Sequence, residues 1–283
     1  MSDLSLFLLR YGEIGTKSSN IRKHFEDILI QNMERTFLNE GEELITEKKG
    51  MGRIFAHTDP KNSYLFSRTF GLVSYSEAES FTTDLDEMIK RARKFAENIS
   101  GTFAVRARRV GEHEFGSQEV EAKVGEAVLE ANPELTVDLD RPEEEFHIEI
   151  RHSDTYVFTD IQEAPGGLPV GSQGKVAAVV EDELDFLSAW LMMRRGARLY
   201  VISKNRESVE RLRRWDVSLK ELEYAEDISS IDFPEHIKAL VLGETLEDYS
   251  PIDVDMMVVR PLIGFTDERI ENTLSFIERL EEK

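Results

Sequence analysis

The residues best suited to hold a ligand fall in one stretch, Phe103-Ala104-Val105-Arg106-Ala107-Arg108-Arg109-Val110-Gly111-Glu112-His113-Glu114-Phe115-Gly116-Ser117-Gln118-Glu119-Val120-Glu121. Its first half predicts a strand, on which Arg106 and Arg108 project from one face and Arg109 from the other. A loop carrying His113 and Phe115 follows, and apolar spacing predicts a helix opening at Ser117 and Gln118. A helix start offers free backbone N–H groups to an anion. Guanidinium groups take phosphate through paired N–H donors, and an aromatic ring stacks on an unpaired base. Such a set suits phosphates and an unpaired base. A structural use competes for the same arginines, because Glu112, Glu114, Glu119 and Glu121 lie close enough in sequence to neutralise them.

The elements that must position this stretch are readable from period and punctuation. A strand is predicted over 4–9, then a Gly-punctuated loop through Lys17, then a helix from about Asn20 to Leu38 with Arg22 in its first turn. Lys17 and Arg22 are further phosphate candidates, with ordinary solvated polarity at a helix start as the competing assignment. Gly50-Met51-Gly52-Arg53 turns into a strand at 54–56. Beyond it, a short helix over 63–69, strands over 72–81 and 102–110, helices over 85–98 and 117–131, and strands near 136–139, 146–151 and 156–161 make an α+β domain. The turn-rich run Ala164-Pro165-Gly166-Gly167-Leu168-Pro169-Val170-Gly171-Ser172-Gln173-Gly174-Lys175 marks a boundary. After it the pattern becomes α/β, and the wholly apolar strand over 176–180 suits a buried parallel sheet. The expected domains are 1–60, 61–165 and 171–283.

Composition limits the chemistry. The chain has 283 residues and no cysteine, which excludes disulfides, zinc thiolates, thiolate nucleophiles and persulfide carriers. No metal site is expected: His147 and His152 flank Glu149, but alternation along a strand puts the two rings on opposite faces. No run of eighteen apolar residues and no cationic leader is present, so no membrane association and a cytoplasmic location are expected. The net charge of -21 describes an acidic skin suited to a high-salt cytosol, and it forces any RNA site to be a local basic patch.

Five blocks, in order, resemble the tRNA 4-thiouridine sulfurtransferase (ThiI) family. Leu9-Arg10-Tyr11-Gly12-Glu13-Ile14-Gly15, with Lys17, Ser18, Asn20, Ile21, Arg22 and Phe25, resembles its ferredoxin-like N-terminal domain. The arginine-rich stretch resembles the core of its RNA-binding THUMP domain. Pro165 to Lys175 resembles the link into its ATP pyrophosphatase (PP-loop) domain, Trp190-Leu191-Met192-Met193-Arg194-Arg195-Gly196 the first helix of that domain, and Arg260-Pro261-Leu262-Ile263-Gly264-Phe265 a late strand and loop. The resemblance implies a multidomain α/β and α+β protein with a Rossmann-like parallel sheet. It also implies tRNA as partner, with the acceptor end held by Arg106, Arg108, Arg109, His113, Phe115, Ser117 and Gln118, helped by Lys17, Arg22 and Lys175. Active relatives adenylate a tRNA uridine with ATP and magnesium and receive sulfur through cysteine persulfides.

The sequence departs from that pattern where the chemistry would occur. The family's phosphate loop reads Ser-Gly-Gly-x-Asp-Ser; here Glu181, Asp182 and Glu183 replace the serine and both glycines, Asp185 matches, and Phe186 replaces the second serine. Each carboxylate facing a polyanion costs about 1 kcal/mol at 4 Å even in bulk water. The same acids suit a helix N-terminus. The polar stretch the family carries after Leu242-Gly243-Glu244-Thr245-Leu246-Glu247 is replaced by Asp248-Tyr249-Ser250-Pro251, and the chain stops before the region of the family's catalytic cysteine. No cofactor is expected. The function read from these departures is a catalytically inactive tRNA-binding protein, presenting tRNA as an accessory subunit and pairing with itself or with an active relative. A sulfurtransferase subunit completed by partner chains, and a protein scaffold without RNA binding, are the alternatives.

Overall fold

The computed structural model describes residues 4–47 and 52–283. Met1 to Asp3 of the expected leaderless start, and Gly50 and Met51 of the expected turn, lie outside the described residues.

Strand β1 (Ser5–Tyr11) leads into a 3-10 turn over Glu13–Thr16, where glycine punctuation suggested an open loop. Helix α1 (Ser19–Glu40) buries Phe25, Leu29, Met33 and Phe37 at helical spacing. It stops at Gly41, whose φ of 76° allows its N–H to return to the Leu38 carbonyl. Strands β2 (Ile45–Glu47) and β3 (Ile54–Thr58) pair antiparallel. A 3-10 helix over Pro60–Arg68 precedes β4 (Leu72–Thr82). Then come α2 (Leu85–Ala96), β5 (Thr102–Val110), α3 (Ser117–Ala131), β6 (Thr136–Val137), β7 (Glu144–Arg151), β8 (Asp154–Phe158) and β9 (Gln162–Glu163). The last segment holds β10 (Lys175–Val179), α4 (Glu183–Arg194), β11 (Arg198–Ile202), α5 (Arg206–Arg213), β12 (Lys220–Glu221), β13 (Ala239–Val241), β14 (Met257–Val259) and α6 (Asp267–Glu281). No described helix is long and apolar enough to cross a membrane.

The chain divides into two compact units, one formed by residues 76–161 with the start of β1, the other by residues 9–75 and 162–283. In the first, β5 lies between β6 and β7, parallel to both, and β8 pairs antiparallel with β7 and with the end of β4. Phe103 and Val105 of β5 enter a core with Met88, Val120, Val124 and Phe146, so α2 and α3 cover the face that bears these alternate residues. His152 lies in the turn between β7 and β8 with φ 54°, so strand alternation does not relate it to His147.

In the second unit, β10 to β14 form an all-parallel sheet ordered β12-β11-β10-β13-β14. Strand order reverses between β10 and β13, and in doubly wound sheets ligands bind beyond the carboxyl ends of the strands at that point. Trp190 of α4, fully buried, meets Phe70 at 5.2 Å and Trp215 at 5.5 Å. The N-terminal segment is fastened to this sheet domain: Asn32 Nδ2 donates to the Val170 carbonyl at 3.0 Å, and Ser67 Oγ to the Leu280 carbonyl at 2.9 Å. Residues 61–75, expected with the RNA-binding domain, thus pack with this unit. The glycine-rich boundary is packed as well: Leu168 N–H donates to the Arg194 carbonyl at 2.9 Å, and any Cβ at Gly167 would collide with that carbonyl.

Candidate functional site

The arginine-rich stretch forms the predicted strand and helix, and the structure separates its arginines by what they touch. Arg106 is engaged: its Nε donates to Glu145 Oε1 at 2.8 Å and its Nη2 to the Leu139 carbonyl at 2.7 Å. Glu145 also meets His147 Nε2 at 3.1 Å, and the His147 ring stacks on Phe158 at 4.9 Å. Arg108 and Arg109 are exposed, and neither has a side-chain hydrogen bond or ion pair among the described residues. Alternation puts Arg109 on the face that α3 covers and Arg108 with Arg106 on the other.

The nearby acids do not neutralise them. Glu119 pairs with Lys123 at 2.7 Å, and the contact holds its carboxyl below the usual range. Glu121 Oε1 accepts from the Ala107 N–H at 2.9 Å, fastening α3 to β5. Among the described residues, the acid that engages an arginine of this stretch is Glu145, which comes from β7 through the parallel register that sets Arg106 beside His147.

Helix α3 opens at Ser117 behind Gly116, an N-cap with no side chain and no side-chain cap hydrogen bond. Its first-turn N–H groups, at Ser117 and Gln118, are therefore available to an outside acceptor. His113 and Phe115 stack with their rings 14° from parallel and 6.1 Å apart, and Phe115 rests on the core beneath. This places a flat ring pair directly before the open helix start. Lys17 ends the 3-10 turn and Arg22 lies in the first turn of α1; both are half-buried in the other unit, without a side-chain ion pair among the described residues. Lys175, exposed, is the first residue of β10, at the end of the strand opposite the switch-point crevice.

At that crevice acids occupy backbone N–H donors. Asp185 Oδ1 accepts from the Gly243 N–H at 2.9 Å, and Oδ2 from the Glu181 N–H at 3.0 Å, so one carboxylate bridges the loop after β10 to the loop after β13. Burial pushes the Asp185 carboxyl above its ordinary range, opposed by the N–H donors of Glu181 and Gly243. The approach is close enough that a Cβ on Gly243 would lie 2.5 Å from Asp185 N and 2.7 Å from its Cα. The other acids are also employed. Asp182 caps α4 by accepting from Asp185 N at 2.9 Å, Glu181 accepts from Lys204 N at 2.9 Å, and Glu183 meets Arg211 Nη1 at 3.5 Å. Phe186 is buried, with the Arg211 guanidinium 4.0 Å over its ring.

Two family models match the chain: the THUMP domain over residues 82–160, which contains the open helix start and the free arginines, and the ThiI ferredoxin-like domain over residues 6–76. The fold and site thus define a THUMP-domain protein joined to a doubly wound α/β domain. A probable tRNA sulfurtransferase of Saccharolobus islandicus is 30% identical over 313 residues, covering 92% of this chain and 82% of that protein. One of Methanothermobacter thermautotrophicus is 35% identical over 211 residues, 71% of this chain and 52% of its own length. This chain belongs to the tRNA sulfurtransferase family. It is matched over little more than half the length of several of its curated relatives. Among solved structures, a 4-thiouridine synthetase in complex with RNA and bound ATP superposes with a TM-score of 0.77 at 22% identity, covering 99% of this chain and 86% of that one, which establishes the shared fold.

Proposed function

We propose that this chain binds tRNA at its acceptor end through the THUMP unit and does not itself perform ATP-dependent sulfur transfer. It acts in the cytoplasm as a tRNA-presenting or accessory subunit, as a homodimer or beside an active relative. The observation that carries the proposal is the cap on α4: Asp182, which stands where the family's phosphate loop has a glycine, takes the Asp185 N–H at 2.9 Å, a helix-start donor that a nucleotide phosphate would need open. Glu181, Asp182 and Glu183 surround the same place, and the chain has no cysteine to carry a persulfide. On the RNA side, support comes from the free Arg108 and Arg109, the uncapped start of α3, and the stacked His113 and Phe115. The solved 4-thiouridine synthetase of the same fold is itself an RNA complex.

The test is binding of intact tRNA against tRNA trimmed of its unpaired 3′ end, followed by fluorescence anisotropy through a salt series. Base–aromatic stacking contributes about 1–3 kcal/mol per base, so trimming is expected to weaken binding about tenfold or more. Equal binding of the two forms would remove the acceptor end from the proposal.

A further inference from the structure

The sheet domain carries a second cationic site that the acceptor-end proposal leaves unused. A shallow cavity of about 410 Å³, wide open to solvent, lies between the end of α4 and the first turns of α6, lined by Arg194, Thr266, Glu268, Arg269, Asn272 and Phe276, among others. Several arginines of this domain are held by acids, among them Arg211 by Glu281, Arg213 by Glu221 and Arg206 by Glu221. Arg194 and Arg269 are not, although the chain has 56 acidic residues. Neither guanidinium has a side-chain hydrogen bond or ion pair among the described residues. Each instead lies over aromatic rings: Arg269 Cζ is 3.8 Å from the centre of the Phe265 ring, and Arg194 Cζ 5.6 Å from that of Trp190 and 5.9 Å from that of Phe276. Ring contacts fix a guanidinium's position while leaving its N–H donors unspent.

Burial holds Arg194 below its ordinary range, with Glu13 raising and Arg195 lowering it further. An anion would offset the desolvation of Arg194 and supply the missing partner. Asn272 adds an amide donor. Thr266 and Thr273 are already bonded, to Arg269 N and the Arg269 carbonyl. Glu268 is the one acid in the lining, and it opposes an anion.

We infer that Arg194 and Arg269, with Asn272, form a phosphate-binding site in this cavity, which takes either the sugar–phosphate backbone of a bound RNA or a free phosphorylated ligand. The RNA case rests on the tRNA binding proposed above; the free-phosphate case does not.

The test compares Arg194→Gln with Arg269→Gln, made together, against Arg206→Gln with Lys238→Gln, which removes the same charge from exposed positions of the same domain. Arg269→Gln alone, at an exposed position, keeps the test readable if the Arg194 change unfolds the protein. tRNA affinity is measured through a salt series, and inorganic phosphate is titrated separately by calorimetry. The result expected for RNA is about a tenfold loss of tRNA affinity and a salt slope lower by about two in the site variant only. Glu268→Gln is expected to raise affinity by about threefold, which a merely structural role would not produce. Saturable phosphate binding that disappears in the site variant, with tRNA affinity unchanged, also supports the site and names a free phosphorylated ligand as its occupant. If the two double variants behave alike toward tRNA and neither they nor the unmodified chain bind phosphate, the inference is overturned. If the unmodified chain binds no tRNA, the acceptor-end proposal falls and the phosphate titration alone decides this one.

Discussion

Replacing Arg108 and Arg109 together with glutamine is expected to lower tRNA affinity by at least about 100-fold near 0.1 M salt. Each guanidinium removed takes with it a charge-assisted hydrogen bond to phosphate of about 1.5–3 kcal/mol and one released counterion, so the salt slope should also fall by about two. These two side chains are chosen because nothing in the described structure competes for them, whereas Arg106 is held by Glu145 and the Leu139 carbonyl. Arg106→Gln should accordingly weaken RNA binding much less than the Arg108 and Arg109 pair. Its direct effect is on the unit itself, where Glu145 would be left with His147 alone. Anisotropy with labelled tRNA measures both variants. Unchanged affinity and slope in the double variant would place the RNA contact elsewhere.

Asp185→Ala is expected to destabilise the chain by about 2–4 kcal/mol. It strands the partly buried N–H of Gly243, which costs about 1–3 kcal/mol, and removes the tie to the exposed Glu181 N–H, worth about 1 kcal/mol more. For a protein of this size each kcal/mol moves the melting temperature by about 2–4 °C, so a drop of about 4–16 °C is the calorimetric signature. Residues kept for ligand chemistry commonly cost stability, and removing one commonly leaves stability unchanged or raises it. A melting temperature that stays level or rises in Asp185→Ala would therefore mark Asp185 as a retained ligand group and argue against a crevice whose N–H donors are taken by its own acids. Gly243→Ala should act in the same destabilising direction, because the added methyl meets backbone atoms of Asp185 that have no room to move.

Local pattern was enough to delimit the elements that carry the site. The strand Thr102–Val110 and the helix Ser117–Ala131 have the bounds that alternation, glycine punctuation and helical spacing imply. Strands Ile45–Glu47 and Lys220–Glu221 left no such trace. They are short and largely exposed, and backbone pairing with a neighbour defines them. The helical segment near 63–69 proved longer and of 3-10 type, starting at Pro60 behind a capping Asp59.

The candidate residues were legible, but their states were not. Sequence neighbours suggested that Glu112, Glu114, Glu119 or Glu121 would neutralise the arginines. The partner of Arg106 arrives instead from β7, and Glu119 and Glu121 turn to Lys123 and the Ala107 N–H. The acids of the altered loop were legible as helix-start residues. That Asp185 would reach Gly243, 58 positions away, was not, because only the order of the parallel strands brings those loops together. Arg194 and Arg269 went unread as a pair for the same reason: they become neighbours only when α6 packs against the end of α4.

The central claim is that the chain holds tRNA without using ATP. Its most direct test is calorimetric titration of one preparation with tRNA and then, in the presence of that tRNA, with ATP and magnesium. The predicted result is saturable, salt-sensitive tRNA binding and no ATP binding in either state. Saturable ATP binding that is weakened by Asp185→Ala would contradict it, and would make the crevice a nucleotide site after all.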